Sequence, residues 1–158
     1  MKAMKPEITV DIEHHIEHPD CPSDEQIIEW VKLALSQQKQ DTEISIILID
    51  DQEMSELNET YRHKKGPTNV LSFPFEKPEG LELSLLGDLA ICVPQMLREA
   101  QEQHKPVYAH FAHLTIHGCL HLLGYDHIDT KSAEEMEQLE INLLKQINIP
   151  NPYQERTL

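Results

Sequence analysis

Cysteine is scarce in this sequence of 158 residues, which contains only three. Cys21, Cys92 and Cys119 are odd in number, lie far apart and form no CxxC pair. This pattern is typical of a reduced protein, not of a secreted domain held together by disulfides. We therefore expect the chain to be cytoplasmic.

Long apolar runs and secretion signals are also missing. No segment approaches the roughly 18 consecutive apolar residues that a membrane-spanning helix needs. The first ten residues carry lysines but contain neither an apolar stretch nor a small-residue cleavage site. We expect no membrane partner. Residues 1–158 should form one domain, because two domains would each be too short for a self-sufficient core.

Basic residues are few, with 13 Lys and Arg against 28 Asp and Glu, which gives a net charge of −15. Affinity for a phosphate backbone normally comes from Lys and Arg that displace counterions. The chain as a whole should therefore repel RNA and DNA. A nucleic-acid role needs a local basic patch, and the candidate is the run Arg62, His63, Lys64 and Lys65. Charge alone favours a solvated loop for this run.

Four segments have the composition of β-strands, at residues 8–12, 44–49, 70–75 and 85–93. The first alternates apolar with polar residues, and the second is a β-branched run suited to a buried strand. Pro74 marks the third as an edge strand or the site of a bulge. Gly87 in the fourth permits close approach of another backbone.

Five segments are predicted to be helical. Ser23 and Gln26 form a capping box at the start of the first, and Ser132 and Glu135 form another at the start of the last. The other three are expected at residues 51–61, 94–104 and 106–124. Strands and helices follow each other without a strict βαβ rhythm. We therefore predict an α+β fold, one small domain with a mixed four-stranded sheet packed with about five helices.

The most informative pattern is the spacing of His117, His121 and His127. The first two are four residues apart, so they share one face of a helix. Gly124 allows the backbone to reverse, which can bring His127 back towards the same point. Three imidazoles leave the fourth tetrahedral position to water, an open geometry typical of catalytic zinc. We predict one Zn²⁺ per chain on a central, histidine-bearing helix, although nickel, copper or iron would also suit three imidazoles.

Two features of the same helix leave alternatives open. His110 and His113 lie along the same face, and we interpret both as structural residues or as residues that support the ligands. The spacing also matches the metzincin protease motif HExxHxxGxxH, but Gly118 stands where those proteases carry the glutamate base. The protease hypothesis is weakened accordingly. Gly118 either permits close helix packing or leaves room beside the metal for a bulky substrate.

Residues 117–127, HGCLHLLGYDH, closely resemble the signature HGxLHLxGYDH of the YbeY family of metal-dependent endoribonucleases. Residues 67–74 resemble its PTDVLSFP stretch, residues 86–89 its LGDI element, and residues 58–62 its NxxYR segment. The resemblance covers roughly residues 44 to 145. One departure is Asn69, where the family pattern has aspartate, although an amide can keep the hydrogen bonds of a turn.

The resemblance implies a small α+β sandwich with the metal at one end of a cleft. It implies His117, His121 and His127 as metal ligands and Arg62 as the active-site arginine. The implied activity is cleavage of single-stranded ribosomal RNA, notably in maturation of the 3′ end of the small-subunit RNA and in ribosome quality control. The implied partners are that RNA and the small subunit with its proteins.

Within this hypothesis, Arg62 would bind two oxygens of the negatively charged phosphorus centre, and Lys64 and Lys65 would hold the flanking backbone. Asp126 would orient an imidazole by accepting a hydrogen bond from the ring nitrogen that does not bind the metal. Tyr125 and Phe73 could stack on bases, but large aromatic residues in such segments more often belong to the core. Two other functions remain open, a zinc metalloprotease-like hydrolase and a non-catalytic ribosome assembly factor stabilised by the metal.

Overall fold

The computed structural model describes residues 5–76, 84–125 and 130–153 of the chain. Within these ranges, four strands and five helices follow one another in a single small α+β domain, as predicted. In chain order they are β1 (Ile8–His14), α1 (Asp24–Ala34), β2 (Thr42–Ile49), α2 (Asp51–Arg62), β3 (Val70–Pro74), β4 (Leu85–Cys92), α3 (Val93–Glu102), α4 (Val107–Leu122) and α5 (Thr130–Gln146).

The four strands form one mixed sheet in the order β1-β2-β4-β3. The β1–β2 and β2–β4 pairs are parallel, and β3 runs antiparallel to β4 at the edge of the sheet. The prediction from Pro74 of an edge strand is therefore confirmed, since a proline cannot donate a hydrogen bond to a further strand. At this edge Pro74 lies opposite Gly87.

Side chains from both faces of β2 are buried, which explains its continuous β-branched run. Ile44, Ile46 and Leu48 belong to the larger core, which also contains side chains of α1, α4 and α5. Ile49 belongs to a smaller core on the other face, where Met54 of α2 packs. The sheet therefore lies between helices on both sides, and side chains on both faces of its central strands are buried.

Helix α4 is the central helix of the domain and carries His117 and His121, as expected. It packs against α1, α3, α5 and the strands β3 and β4. Most of its side chains are buried, including Phe111 and Ile116, so no face of the helix is wholly polar. No helix in the described ranges combines the length and the apolar character required to traverse a lipid bilayer.

The two predicted capping boxes had different outcomes. Ser23 is the N-cap of α1, and both hydrogen bonds of its box with Gln26 are present. The box predicted for Ser132 and Glu135 is wrong, because α5 is already helical at Thr130 and Ser132 lies inside it. An N-cap residue must lie outside the helical turn that it closes.

Gly87 is held between β3 and α4. Its φ is +155°, and a Cβ there would lie 2.5 Å from the Phe73 carbonyl oxygen and 2.8 Å from Leu122 Cδ2. We expect Gly87→Ala to lower the free energy of unfolding by about 3–5 kcal/mol, because overpacking adds to backbone strain. Urea denaturation would measure the loss. The control is Gly66→Ala, where φ is +86° but nothing lies within 4 Å. Equal losses in both variants would contradict the packing argument.

Candidate active site

A cleft of about 800 Å³ opens between the end of α2, the edge strand β3 and the C-terminal half of α4. Arg62, His117 and His121 all line it. The structure thus brings the predicted arginine and two of the predicted ligands to one cavity, although they are far apart in sequence. Two other predicted site residues, Asp126 and His127, lie outside the described residues.

The two histidines of α4 are arranged as neighbouring ligands of one ion would be. The Nε2 atoms of His117 and His121 lie 3.1 Å apart. Two nitrogens that each lie about 2.0–2.1 Å from a tetrahedral zinc ion are about 3.3–3.4 Å apart. The pair therefore fits a metal ion with only a small adjustment of the rings.

Glu140 of α5 lies directly behind His117. Its fully buried carboxylate accepts a hydrogen bond from His117 Nδ1 through Oε1. A ring that donates through Nδ1 directs the lone pair of Nε2 towards the cleft. A carboxylate in this position commonly fixes the orientation and tautomer of a metal-binding histidine.

The other oxygen of Glu140 has two partners. Oε2 accepts a hydrogen bond from the Tyr153 hydroxyl, and His113 Nε2 lies 3.4 Å away. Burial alone would raise the pKa of Glu140, but the hydrogen bonds from His113 and His117 outweigh it and lower the pKa to about 2. Burial lowers the pKa of His113. At neutral pH an ionised carboxylate therefore faces a neutral His113 ring.

A metal ion could also be held on this inner side of α4. His113, His117 and Glu140 each offer one ligand atom, and the three atoms lie within 4.8 Å of one another. An ion there would lie behind His117, next to a carboxylate without solvent exposure. Such a position suits a structural ion, whereas the cleft side of His117 is accessible to a substrate.

Sequence reasoning missed Glu140, although a signal was present. In α5 the apolar stripe of Met136, Leu143 and Leu144 is buried, and Glu140 occupies a position of that same stripe. A charged residue at a core position is rarely buried without a partner. The stripe therefore pointed to a buried partner for Glu140, but not to which residue it was.

Arg62 is the last residue of α2, and the loop that follows is bonded back to the helix. Asn58 is buried in α2, and its side-chain amide donates to the Gly66 carbonyl oxygen at 2.9 Å. His63 ends the helix in the left-handed conformation, with φ of 56°. Lys64 and Lys65 follow on the exposed side of this loop and are not among the residues that line the cleft.

Asn69 keeps the turn before β3 and adds a contact that aspartate could not make. Its Oδ1 accepts from the Val70 amide at 2.6 Å, while its Nδ2 donates to Glu99 Oε1 at 3.1 Å. The same carboxylate bonds to His110 Nε2 at 2.8 Å. Burial would raise the pKa of Glu99, but hydrogen bonds from His110 and Asn69 outweigh this and lower it.

Asn69→Asp should therefore be destabilising, because it places a second carboxylate against Glu99 in a half-buried position. We expect the free energy of unfolding at neutral pH to fall by about 1–3 kcal/mol in urea denaturation. The double variant Asn69→Asp/Glu99→Gln should recover most of this loss, since it removes the repulsion. Additive losses in the double variant would show that the two side chains do not interact.

Gly118 faces the sheet. A Cβ there would lie 2.9 Å from Leu89 Cδ2 and 3.3 Å from Val70 Cγ1. The close-packing interpretation of this glycine is therefore supported over the idea that it leaves room for substrate. A glutamate at this position would have to enter the core, so the metzincin resemblance does not extend beyond the spacing of the histidines and of Gly124.

Aromatic residues of the cleft are more exposed than the sequence suggested. Tyr125 was expected in the core, but it is 39% exposed and lines the cleft. Phe73 is half-buried there, and its ring centroid lies 5.1 Å from that of Tyr61. Tyr61 also lines the cleft and is 62% exposed.

Comparison with known proteins agrees with these motifs. The model of the family described as endoribonuclease YbeY matches residues 11–148. Proteins named endoribonuclease YbeY from Coxiella burnetii strains Dugway 5J108-111 and RSA 493 / Nine Mile phase I are each 52% identical over 151 residues, covering 94% of this chain and 99% of theirs. The solution structure of TM1509 from Thermotoga maritima has a TM-score of 0.56 at 21% identity, and covers 94% of this chain and 99% of its own. At that identity the likeness shows the fold alone.

Proposed function

The chain belongs to the endoribonuclease YbeY family, and from this membership we propose that it is a metal-dependent endoribonuclease that matures ribosomal RNA. The observation that carries the proposal is the convergence of Arg62, His117 and His121 on one cleft. A cationic side chain that can bind a phosphate and a histidine pair that fits a metal ion are two parts that metal-assisted phosphodiester hydrolysis uses.

His117, His121 and His127 are the proposed ligands of a zinc ion. The ion supplies Lewis-acid chemistry at the phosphate when it is bound. Glu140 holds the His117 ring through Nδ1, so that its Nε2 faces the cleft. Asp126 is proposed to orient a second imidazole in the same way.

Arg62 is the proposed catalytic residue of the chain itself. Phosphodiester cleavage passes through a crowded state with extra negative charge on the phosphoryl oxygens. A planar guanidinium can donate to two of these oxygens at once, which stabilises this state more than the ground state. Lys64 and Lys65 lie outside the cleft wall, where they would attract the flanking backbone without touching the reacting phosphate.

The proposed substrate is single-stranded ribosomal RNA in the cytoplasm, in particular the 3′ end of the small-subunit RNA, with a role in ribosome quality control. A net charge of −15 opposes uniform binding to naked RNA. The acidic surface suits contact with basic ribosomal proteins, while Arg62 at the end of α2 reaches the RNA. The ribosomal small subunit and its proteins are therefore the proposed partners.

Cleavage of a single-stranded ribosomal precursor RNA tests this proposal. Wild type is compared with His117→Ala, Arg62→Ala and the control Lys39→Ala, an exposed residue outside the cleft. All four proteins pass through an identical purification. We expect cleavage to be lost in the first two variants and kept in the control. Equal cleavage in all four would reveal a contaminating nuclease, and the non-catalytic assembly factor would replace our proposal.

A further inference from the structure

We propose that Tyr61, supported by Phe73, is a stacking platform for the unpaired base next to the phosphate at Arg62. The inference rests on the proposed function and deepens it, because it names a residue that selects single-stranded RNA. Tyr61 is 62% exposed, the largest fraction among the exposed large hydrophobic residues of the described chain. A tyrosine that contributes so little to the core is available for a ligand.

The ring of Tyr61 is held in place although it is exposed. It meets the Phe73 ring at a centroid distance of 5.1 Å and an interplanar angle of 70°. Phe73 in turn is partly buried and packs against the smaller core beneath α2. A rigid aromatic surface is a better stacking partner than a mobile one, because less side-chain entropy is lost when a base binds.

Tyr61 precedes Arg62 in α2, and both side chains line the same cleft. A base and the phosphate of its own nucleotide are separated by one ribose. A phosphate held by the guanidinium therefore places a neighbouring base within reach of the Tyr61 ring. Stacking on an aromatic ring accepts every base, since each has a π face.

Charge on the far side of the Tyr61–Phe73 pair restricts the path of the RNA. The same two rings also line a second groove of about 450 Å³, and the acidic residues Asp11, Glu13 and Asp88 line it as well. Like charges repel phosphates from this groove. The aromatic pair therefore forms a wall between a cleft that contains Arg62 and a groove that repels RNA. A neutral base can lie against the wall while its backbone stays on the Arg62 side.

Such a platform would make the enzyme prefer unpaired RNA. Bases in a duplex are already stacked on their neighbours, and opening them costs free energy. Loss of one base–aromatic stack weakens binding by about 5–100-fold. The effect should appear mainly in Kd and KM, because Tyr61 holds the substrate and does not touch the reacting bond.

Fluorescence quenching of a short single-stranded RNA tests the platform. The RNA carries 2-aminopurine at one internal position, and a chelator keeps the protein metal-free so that the strand stays intact. We expect wild type to quench the fluorophore and Tyr61→Ala to raise Kd about 5–100-fold, with Tyr61→Phe restoring most of the affinity. The control is Tyr108→Ala, a residue that is 50% exposed but does not line the cleft.

The outcomes separate this inference from the proposed function. No quenching by wild type, or equal Kd values for wild type and Tyr61→Ala, would overturn the platform. A loss in Tyr61→Phe as large as that in Tyr61→Ala would also overturn it, because stacking does not need the hydroxyl. Quenching that depends on Tyr61 in a protein that cleaves no RNA would support the platform and reject the nuclease. Cleavage by wild type with KM unchanged in Tyr61→Ala would support the nuclease and overturn the platform.

Discussion

Lysine at position 62 should restore little of the cleavage that alanine abolishes. We expect Arg62→Lys to lower kcat/KM by about 100-fold or more, because an ammonium group cannot bind two phosphoryl oxygens in the planar geometry of a guanidinium. The loss should lie mainly in kcat, since the contact strengthens as charge accumulates on the phosphorus centre. Single-turnover cleavage of the precursor RNA, with protein in excess, would measure it.

Lys64→Ala is the matched control for the positive charge that Arg62→Ala removes at the end of α2. Lys64 is exposed and does not line the cleft, so its removal should weaken binding modestly and by an amount that falls with added salt. Full activity of Arg62→Lys would exclude a bidentate role. A kcat loss in Lys64→Ala as large as that in Arg62→Ala would reduce both residues to general electrostatic attraction.

Glutamine at position 140 should weaken metal binding. Glu140→Gln keeps the size of the side chain but removes the charge that orients the His117 ring, so we expect zinc affinity to fall by about 10–100-fold. Competition with a chromogenic chelator measures this directly and requires no cleavage. An unchanged affinity would show that Glu140 is structural only.

Alanine at the same position should also destabilise the fold. The carboxylate has hydrogen-bonding contacts with His117, His113 and Tyr153, and it is fully buried. We expect Glu140→Ala to lower the free energy of unfolding of the metal-free protein by about 3–5 kcal/mol, because donors lose their acceptor and a cavity remains. Glu134→Ala, on an exposed position of α5, is the control and should change it by less than about 0.5 kcal/mol. Equal losses of unfolding free energy in Glu140→Ala and Glu134→Ala would show that the hydrogen bonds of Glu140 do not stabilise the fold.

Local features of the fold were predicted well because their causes are local. The Ser23 capping box depends on hydrogen bonds within a few residues. Pro74 and Gly87 each limit what can lie beside them through their own backbone chemistry, whichever element the partner belongs to. The start of α5 was predicted wrongly. Ser132 and Glu135 have the composition of a capping box, but such a pair is equally compatible with the interior of a helix that begins earlier.

Burial was harder to predict, because a side chain is buried by residues that the local sequence does not identify. Tyr125 was expected in the core and lies at the cleft, since the chain turns after Leu122 and leaves the ring at the surface. The role of Asn69 is similar. Its departure from the family pattern is matched by Glu99, a partner on a helix that follows much later in the chain.

The sequence alone therefore determined the elements, the spacing of His117 and His121 on one helical face, and the resemblance that identified the family. It could do so because helix period, strand alternation and turn chemistry act over a few residues. Only the tertiary structure decided that Arg62 shares their cleft and that Glu140 stands behind His117. These contacts join α2, α4 and α5, and which surfaces of separate elements meet depends on how the whole core packs.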